Sequence, residues 1–330
     1  MDFIAGTSSG VYFGKSGTQA DGLTAGAVHH LGRVGESVFA GAADGIYRSK
    51  DLGRTWRRSG IEGCDVWHVG AAAGDERTLY AGTQPAHFYR SQDGGSSWES
   101  FDSFLEVPGA EKFCLPGGQM PRALTFIVNP FDHDNFLAGV EVGGVLSSPD
   151  AGGHWSLGLL VDNADVHVLV AHPQRKGVVY ATSGHGRNDE LAMNPRMAGL
   201  YRSENGGRSW DYLGTKMEPY YTRPICIDPR PPFALTVPTA PAVRSTITDP
   251  GGAQAVLFRS DDDGESWRSL GDADHSPSAA RLTAVTPDAE RPGWVLAGTE
   301  TGEVWRVSPE AAWTKLTEGL PAVQSLLALA

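Results

Sequence analysis

The chain has 330 residues, with 27 Lys and Arg against 39 Asp and Glu, so its net charge is -12 at pH 7. This excess of acidic residues argues against nucleic acid or an anionic membrane as a partner. No run of about 18 apolar residues occurs and the N-terminus lacks a basic, apolar leader, which predicts a soluble, cytoplasmic protein. Cys64, Cys114 and Cys226 are odd in number and widely spaced, which predicts reduced thiols rather than disulfides.

An eight-residue stretch that occurs five times is the strongest pattern in the chain. Each copy reads Ser-x-Asp-x-Gly-x-Ser/Thr-Trp, except that His154 replaces the Ser/Thr in one copy and Asn205 replaces the Asp in another. The copies, called boxes below, cover residues 49–56, 91–98, 148–155, 203–210 and 260–267. The Asp can accept hydrogen bonds from turn N–H groups, the Gly can take a positive φ, and the Trp can begin a strand. Each box therefore predicts a hairpin turn.

Three apolar runs and the box make up a repeating unit. One run lies directly before the box, as at residues 199–201, and another lies further upstream, as at residues 79–82. A third run comes first in the unit and ends in Pro where the unit is most regular, as at residues 168–173. Four strands per unit, in a repeat of roughly 40 to 57 residues, are the signature of a β-propeller.

The repeat occurs seven times, which predicts an all-β, seven-bladed propeller of four-stranded antiparallel blades as a single domain over residues 1–330. Residues at the two ends, about 1–24 and 322–330, are expected to complete one blade together, which closes the ring and removes a free sheet edge. The other blades are expected at about 25–60, 64–101, 122–160, 165–214, 221–271 and 279–318.

The boxes resemble the Asp-box, or bacterial neuraminidase repeat (BNR), and the chain resembles the sialidase-like superfamily of WD40/YVTN/BNR-like repeat propellers. The resemblance covers nearly the whole chain and rests on five boxes in register. It implies that the boxes are structural and lie on the face away from the active site. Sialidases, other glycoside hydrolases, sortilin-type receptors and photosystem II assembly factors share this box, so the resemblance leaves the activity open.

The mouth of the axial channel opposite the boxes is the predicted site. Insertions at residues 102–121, 184–198 and about 239–253 are expected to wall this mouth. Aligning the inner strands on their closing prolines gives two rings of side chains on one strand face. The first ring is Arg122, Asp165, Tyr221 and Ala279, and the second is Leu124, His167, Arg223 and Arg281.

Further polar side chains are expected in the same channel. Counting back along the second unit adds Asp65 and Trp67, and either His29 or His30 should supply the unit before it. The far ends of the second strands should bring Gln84, Glu141, His185 and Glu300 to the mouth. Because unpaired charges are costly to bury, this composition predicts a polar, wet channel.

Three arginines, Arg122, Arg223 and Arg281, are the predicted ligand contacts, together with Trp67 and His185. A guanidinium group binds carboxylate or phosphate oxygens in a bidentate manner. The set is similar to the arginine triad with which sialidases hold a carboxylate. Sialidases also carry an Arg-Ile-Pro motif near the first blade, whereas this chain has only Arg223-Pro224-Ile225 in another blade, so sialidase activity itself is not expected. The alternative is that the arginines pair with acidic residues across the channel.

The predicted catalytic residues are Tyr221 as nucleophile or acid, His167 as proton carrier, and Glu141 and Asp165 as general acid or base. No cofactor or metal is expected, because the chain lacks ligand-spaced histidines and a Gly-rich phosphate loop. These features predict a monomer that binds a small anionic ligand, carboxylate- or phosphate-bearing and sugar-derived, with hydrolase or lyase chemistry as an extension. The alternative is a non-catalytic scaffold that binds a protein partner.

Overall fold

A computed structural model describes residues 2–14, 16–23, 26–72, 74–101, 103–110, 113, 120–159, 165–184, 198–242, 245–272 and 274–329. The predicted insertions fall partly outside these residues, and His185 and Cys114 lie wholly outside them. Within the described residues, no helix is long and apolar enough to cross a membrane.

The described chain forms seven antiparallel sheets arranged as the blades of a propeller, which confirms the predicted fold. Each blade begins at the axis with its inner strand and continues outward in chain order. The first three blades consist of β3 (Val28–Val34), β4 (Ser37–Ala42), β5 (Gly45–Ser49) and β6 (Arg57–Gly60); β7 (Asp65–Ala72), β8 (Asp75–Gln84), β9 (Phe88–Ser91) and β10 (Glu99–Ser100); and β11 (Ala123–Asn129), β12 (Asp132–Val140), β13 (Gly144–Ser148) and β14 (Ser156–Leu159).

The next three blades follow the same order, with one interruption. They consist of β15 (Val166–Ala171), β16 (Val179–Ser183), β17 (Gly199–Ser203) and β18 (Asp211–Tyr212); β19 (Tyr221–Thr222), β20 (Cys226–Ile227), β21 (Leu235–Ala240), β22 (Val256–Ser260) and β23 (Arg268–Ser269); and β24 (Leu282–Pro287), β25 (Val295–Thr299), β26 (Val304–Val307) and β27 (Trp313–Thr317). In the fifth blade the inner strand is split into β19 and β20, because Pro224 between them has no N–H to donate to the ladder. Short 3-10 helices lie at Ser103–Glu106 and Gly214–Lys216.

The seventh blade joins the two ends of the chain, as predicted. Its inner strand is β28 (Val323–Leu329), which pairs with β1 (Asp2–Thr7), and β1 pairs with β2 (Gly10–Phe13). This sheet has three paired strands instead of the predicted four, and in the described residues Gln19 makes one bridge to Tyr12 where a fourth strand would lie.

The boxes form the turns between the third and fourth strands, and one hydrogen-bond pattern explains their residues. In the first box, Asp51 accepts hydrogen bonds from the hydroxyl groups of Ser49 and Thr55 and from the Thr55 N–H, while the Gly53 N–H donates to the Ser49 hydroxyl. These donors lower the pKa of Asp51 to about 2, against the opposing effect of burial. In the third box the His154 Nδ1 takes the place of the Ser/Thr hydroxyl, 2.5 Å from Asp150. The boxes are therefore self-contained turns.

Every inner strand carries one extra residue at the same depth, and this feature positions the site. Within each blade, the register between the inner strand and its neighbour leaves one inner-strand residue without a partner, which is a β-bulge. In the fifth blade the unpaired residue lies at the matching depth, in the break between β19 and β20. Bulges change the direction in which a side chain points. The skipped residues, called bulge residues below, are His29, Trp67, Leu124, His167, Arg223, Thr283 and Gln324.

The bulge corrects the predicted register of the sixth blade by two residues. The alignment on closing prolines placed Arg281 beside His167 and Arg223, and Ala279 beside Tyr221. In the structure Pro287 pairs with Val295 inside the ladder, as Ala171 does with Val179 in the fourth blade. Thr283 is therefore the equivalent of His167, and Arg281 belongs to the ring of Asp65, Arg122, Asp165 and Tyr221.

Apolar side chains fill the space between adjacent blades. Between the second and third blades, Phe88 and Phe104 lie fully buried with ring centroids 5.0 Å apart, and Tyr80 stacks on Phe126 at 4.6 Å. Phe104 comes from the insertion after β10, so the start of this insertion packs in the core instead of only walling the mouth.

Two histidines lie between the first three inner strands and are expected to make the fold sensitive to acid. His30 and His68 face each other with ring centroids 4.7 Å apart. Burial lowers the pKa of His30 to about 4, against a raising hydrogen bond to the Val69 backbone, and burial with the neighbouring His30 lowers the pKa of His68 well below its ordinary value.

Because the unfolded chain binds these protons near pH 6.5, stability is complete above that pH and falls as the pH drops towards about 4. For His30 alone the loss should reach about 3 kcal/mol. We expect urea unfolding across this range to show the loss and a double variant, His30→Gln with His68→Gln, to flatten it. His133→Gln, at an exposed position, is the matched control and should leave the slope unchanged. An identical slope in the double variant would contradict the prediction.

Candidate functional site

A cavity of about 550 Å³ occupies the axis and is lined by residues from all seven inner strands. This volume lies within the range of about 300 to 1,000 Å³ typical of small-molecule sites. All seven bulge residues contribute to the lining, together with Tyr221 and Arg281 from the ring before them. The mouth is the end at which inner strands begin and second strands end, opposite the boxes.

Glu141 joins two of the predicted arginines at one side of the cavity. Its carboxylate is buried and accepts hydrogen bonds from Arg122 Nη1 at 2.8 Å and Arg223 Nη2 at 3.3 Å. Arg122 also donates its Nε to Gln84 at 2.9 Å and lies over the Trp67 ring, 4.5 Å from the centroid. The pairing of arginines with acidic residues, considered above as the alternative, therefore holds fully for Arg122 and partly for Arg223.

Arg223 is the predicted ligand residue that keeps donors for a ligand. Its side chain is 40% exposed, it lines the cavity, and its Nε and Nη1 groups have no hydrogen-bond partner in the described part of the chain. Arg281 also lines the cavity, but its Nε donates to the Ser245 carbonyl at 2.7 Å. The nearby Glu300 carboxylate accepts the backbone N–H groups of Arg281 and Ile247, each at 2.8 Å.

The fourth blade contributes a buried acid and histidine. His167 Nδ1 lies 3.2 Å from the Thr222 carbonyl, which can only accept, so Nδ1 carries a proton. His167 Nε2 lies 3.2 Å from Asp165 Oδ1. This contact is short enough for an ion pair when the imidazole is protonated. Gly184 makes room for it, since a Cβ there would overlap the Asp165 carboxylate.

Tyr221 lies beside this pair, with its ring centroid 6.0 Å from that of His167. Burial raises the pKa of Tyr221 well above its ordinary value. The phenol is therefore protonated at neutral pH, which suits a proton donor better than the nucleophile considered above.

The first and second blades supply a group whose register the sequence leaves open. His29 Nε2 lies 2.8 Å from Asp65 Oδ1, and the Trp67 Nε1 donates to Asp65 Oδ2 at 3.0 Å. The His29 and Trp67 rings stack at 3.8 Å with a 12° interplanar angle. Asp65 thus holds both His29 and Trp67, and Arg122 contacts the same Trp67 ring. The β-bulge at His29 places this residue, rather than His30, among the bulge residues that face the axis.

The structure thus brings Arg122, Arg223, Glu141, Asp165, His167 and Tyr221 together across three adjacent blades. Arg281, in the sixth blade, reaches the same cavity. One atom from each of Glu141, Asp165 and His167 lies within 4.8 Å of the others, an arrangement that can hold a metal ion. However, both oxygens of Glu141 already bind arginines, so the group fits a divalent cation poorly. His185, predicted to join this site, lies outside the described residues.

No family model matches this chain. Among curated proteins, a probable oligoxyloglucan-reducing end-specific xyloglucanase of Neosartorya fischeri is 35% identical over 81 residues, which is 21% of this chain and 10% of that protein. The match is thus confined to a small part of both proteins.

Solved structures show the same fold at low sequence identity. An ancestral GH74 enzyme superposes over 96% of this chain with a TM-score of 0.64 and 15% identity, and the GH74 xyloglucanase from Xanthomonas campestris superposes over 96% with 0.62 and 17%. YCF48 from Cyanidioschyzon merolae superposes over 94% with 0.61 and 15%, and 92% of that chain is covered. The present chain spans 40% and 47% of the two GH74 chains, so each contains much that is absent here.

Proposed function

We propose that the axial cavity binds a small anionic ligand, carboxylate- or phosphate-bearing and sugar-derived, and that the site carries out hydrolase or lyase chemistry on it. The observation that supports this most is Arg223. Its guanidinium faces a cavity of suitable size with unused donors, and the Tyr221 phenol and the His167 imidazole line the same cavity. A guanidinium in such a place favours an anion, because one anionic group can accept two parallel N–H bonds.

The hydrolase part of this proposal is supported only by the fold shared with GH74 enzymes and by one short sequence match. GH74 enzymes share the propeller, and the curated relative with the short match is described as a xyloglucanase. We also propose membership of the BNR-repeat, sialidase-like superfamily, which is supported by the common hydrogen-bond pattern of the boxes.

Replacing Arg223 with Ala is expected to weaken ligand binding by about 10- to 100-fold, the effect of losing a charged hydrogen bond. Calorimetric titration of glucuronate, galacturonate, sugar phosphates and inorganic phosphate against wild type and Arg223→Ala measures this loss. Arg208→Ala, at an exposed position in a box, is the matched control and should bind as wild type does. Equal affinity of wild type and Arg223→Ala for every ligand would overturn the proposal.

A second candidate is a non-catalytic scaffold for a protein partner. It is favoured by exposed apolar side chains at the mouth: Met120 is 58% exposed next to Gln84, and Ile247 is 47% exposed next to Glu300. If no small anion binds the wild-type cavity, this candidate becomes the better one.

A further inference from the structure

His29 has the geometry of a general base that faces the axial cavity. The carboxylate of Asp65 accepts from Nε2, so in the neutral ring Nδ1 carries the lone pair. Stacking on Trp67 fixes the plane of the imidazole, and Asp65 fixes both rings with one oxygen each. In the described part of the chain Nδ1 has no hydrogen-bond partner, and the residue lines the cavity. A histidine held by a carboxylate in this way can accept a proton from a bound substrate.

The acidic residues around the cavity are committed to other partners. Glu141 pairs with two arginines, Asp165 with His167, and Glu300 with two backbone N–H groups. Glycoside hydrolysis by a carboxyl pair needs one of them as a protonated acid next to the scissile oxygen. The site therefore suits proton transfer by histidines better than hydrolysis by two carboxyl groups.

A second histidine lies on the other side of the ring. His29 belongs to the first blade and His167 to the fourth, so two blades separate them in one direction and three in the other. Both line the same cavity, and Asp165 lies 3.2 Å from His167 Nε2, where its carboxylate would stabilise a protonated imidazole. A base and an acid thus face a bound ligand from opposite sides. Arg223 lines the same cavity with unused donors for the carboxylate of that ligand.

We propose that the cavity catalyses β-elimination on a sugar acid that is glycosidically linked at the carbon β to its carboxylate, with His29 as the base. The inference rests on the proposed anion site. Nδ1 of His29 takes the proton from the carbon α to the carboxylate, and its C–H electron pair forms the carbon–carbon double bond. The bond from the β-carbon to the glycosidic oxygen breaks, and that oxygen takes a proton from His167. The products are an unsaturated acid and a free sugar hydroxyl, with no water or oxidant consumed.

The guanidinium of Arg223 explains why a carboxylate makes this step accessible. Removing the α-proton places negative charge on the carboxylate oxygens in the transition state. Guanidinium donors already in place at those oxygens stabilise that charge most when water is excluded. Asp65 acts as a positioning residue, because it holds the His29 tautomer and stabilises the imidazolium that forms.

The test uses full-length protein with oligomers of galacturonate, glucuronate and mannuronate. Ultraviolet absorbance reports the conjugated acid, new reducing ends report any cleavage, and NMR in deuterated water reports exchange of the α-proton. We expect absorbance to rise together with reducing ends in wild type. His29→Gln should slow this by about 10²- to 10⁴-fold, the usual contribution of a general base. Asp65→Asn should slow it and change its pH profile, which a purely structural role would not do.

Measurements of uronate affinity distinguish the proposed elimination from the proposed anion binding on which it rests. His29→Gln should keep the affinity for unreactive galacturonate, whereas Arg223→Ala should lose it; His133→Gln, at an exposed position, should behave as wild type in every assay. If uronates bind but cleavage gives reducing ends without absorbance, or gives neither product nor α-proton exchange, the elimination is wrong and the anion site stands. If no uronate binds the wild-type cavity, the elimination is wrong, and the anion site then depends on the titrations with sugar phosphates and inorganic phosphate.

Discussion

Removal of residues 322–330 is expected to abolish cooperative folding. These residues form the inner strand β28, which pairs along the whole of β1 and packs against the strands of both adjacent blades. Val323, Leu326 and Leu329 are buried, and each contributes about 1.5 to 3 kcal/mol. Their sum, with an inner position of the ring left open, is comparable to the whole stability of a typical domain, about 5 to 15 kcal/mol. Circular dichroism with thermal unfolding measures the outcome.

A circular permutant provides the matched control for this deletion. Asp2 pairs with Leu329, so a short linker can join the two ends of the chain as a hairpin. New ends placed between Glu318 and Gly319, both exposed, would keep every strand. We expect this permutant to fold with a melting temperature close to that of wild type. A deletion variant that unfolds as cooperatively as the permutant would show that the joined blade does not hold the ring together.

Gly302→Ala is expected to cost about 3 to 5 kcal/mol, among the largest effects of a single methyl group in this chain. Gly302 has a φ of +82°, and a Cβ there would overlap the backbone carbonyl of Leu320, which leads into β28. The Leu320 N–H in turn donates to the Gly302 carbonyl at 3.1 Å. Neither backbone can move away without breaking this contact between the sixth blade and the seventh.

Gly319→Ala separates the two causes of this cost. Gly319 has a similar φ of +78°, but nothing lies within 4 Å of a Cβ built there. Its replacement should therefore show only the backbone strain, about 1 to 2 kcal/mol. Midpoints of urea unfolding give both values. Equal losses would mean that the close approach of Leu320 contributes nothing.

The repeated boxes predicted the architecture because each one is a complete turn. Ser, Asp and Gly satisfy one another within eight residues, so the pattern is local and survives in the sequence even where His154 or Asn205 replaces a member. Blade number, strand order and the joining of the two ends all follow from that pattern. The seventh blade departs from it and pairs only three strands within the described residues.

The site could be predicted only in part, because its arrangement depends on contacts between blades. Composition along the inner strands was enough to select Arg223, His167 and Tyr221. The sixth blade was misaligned, because Pro287 lies inside the ladder while the prolines of other units lie beyond it. Arg122 pairs with Glu141, and His29 pairs with Asp65, across separate strands. A local sequence pattern does not encode such pairs.

The bulge residues separate the scaffold of this protein from its chemistry. Because a bulge residue takes no part in the ladder, strand pairing places no demand on its side chain. The hydrogen-bonded frame could therefore stay the same while the set of side chains presented to the axis changes one blade at a time. Redesign of the cavity would begin with Leu124, a bulge residue that the proposed chemistry leaves unused, rather than with Thr283, whose hydroxyl donates to the Val323 carbonyl of the next blade. New acids, bases or aromatic rings introduced there would alter selectivity with little cost to folding.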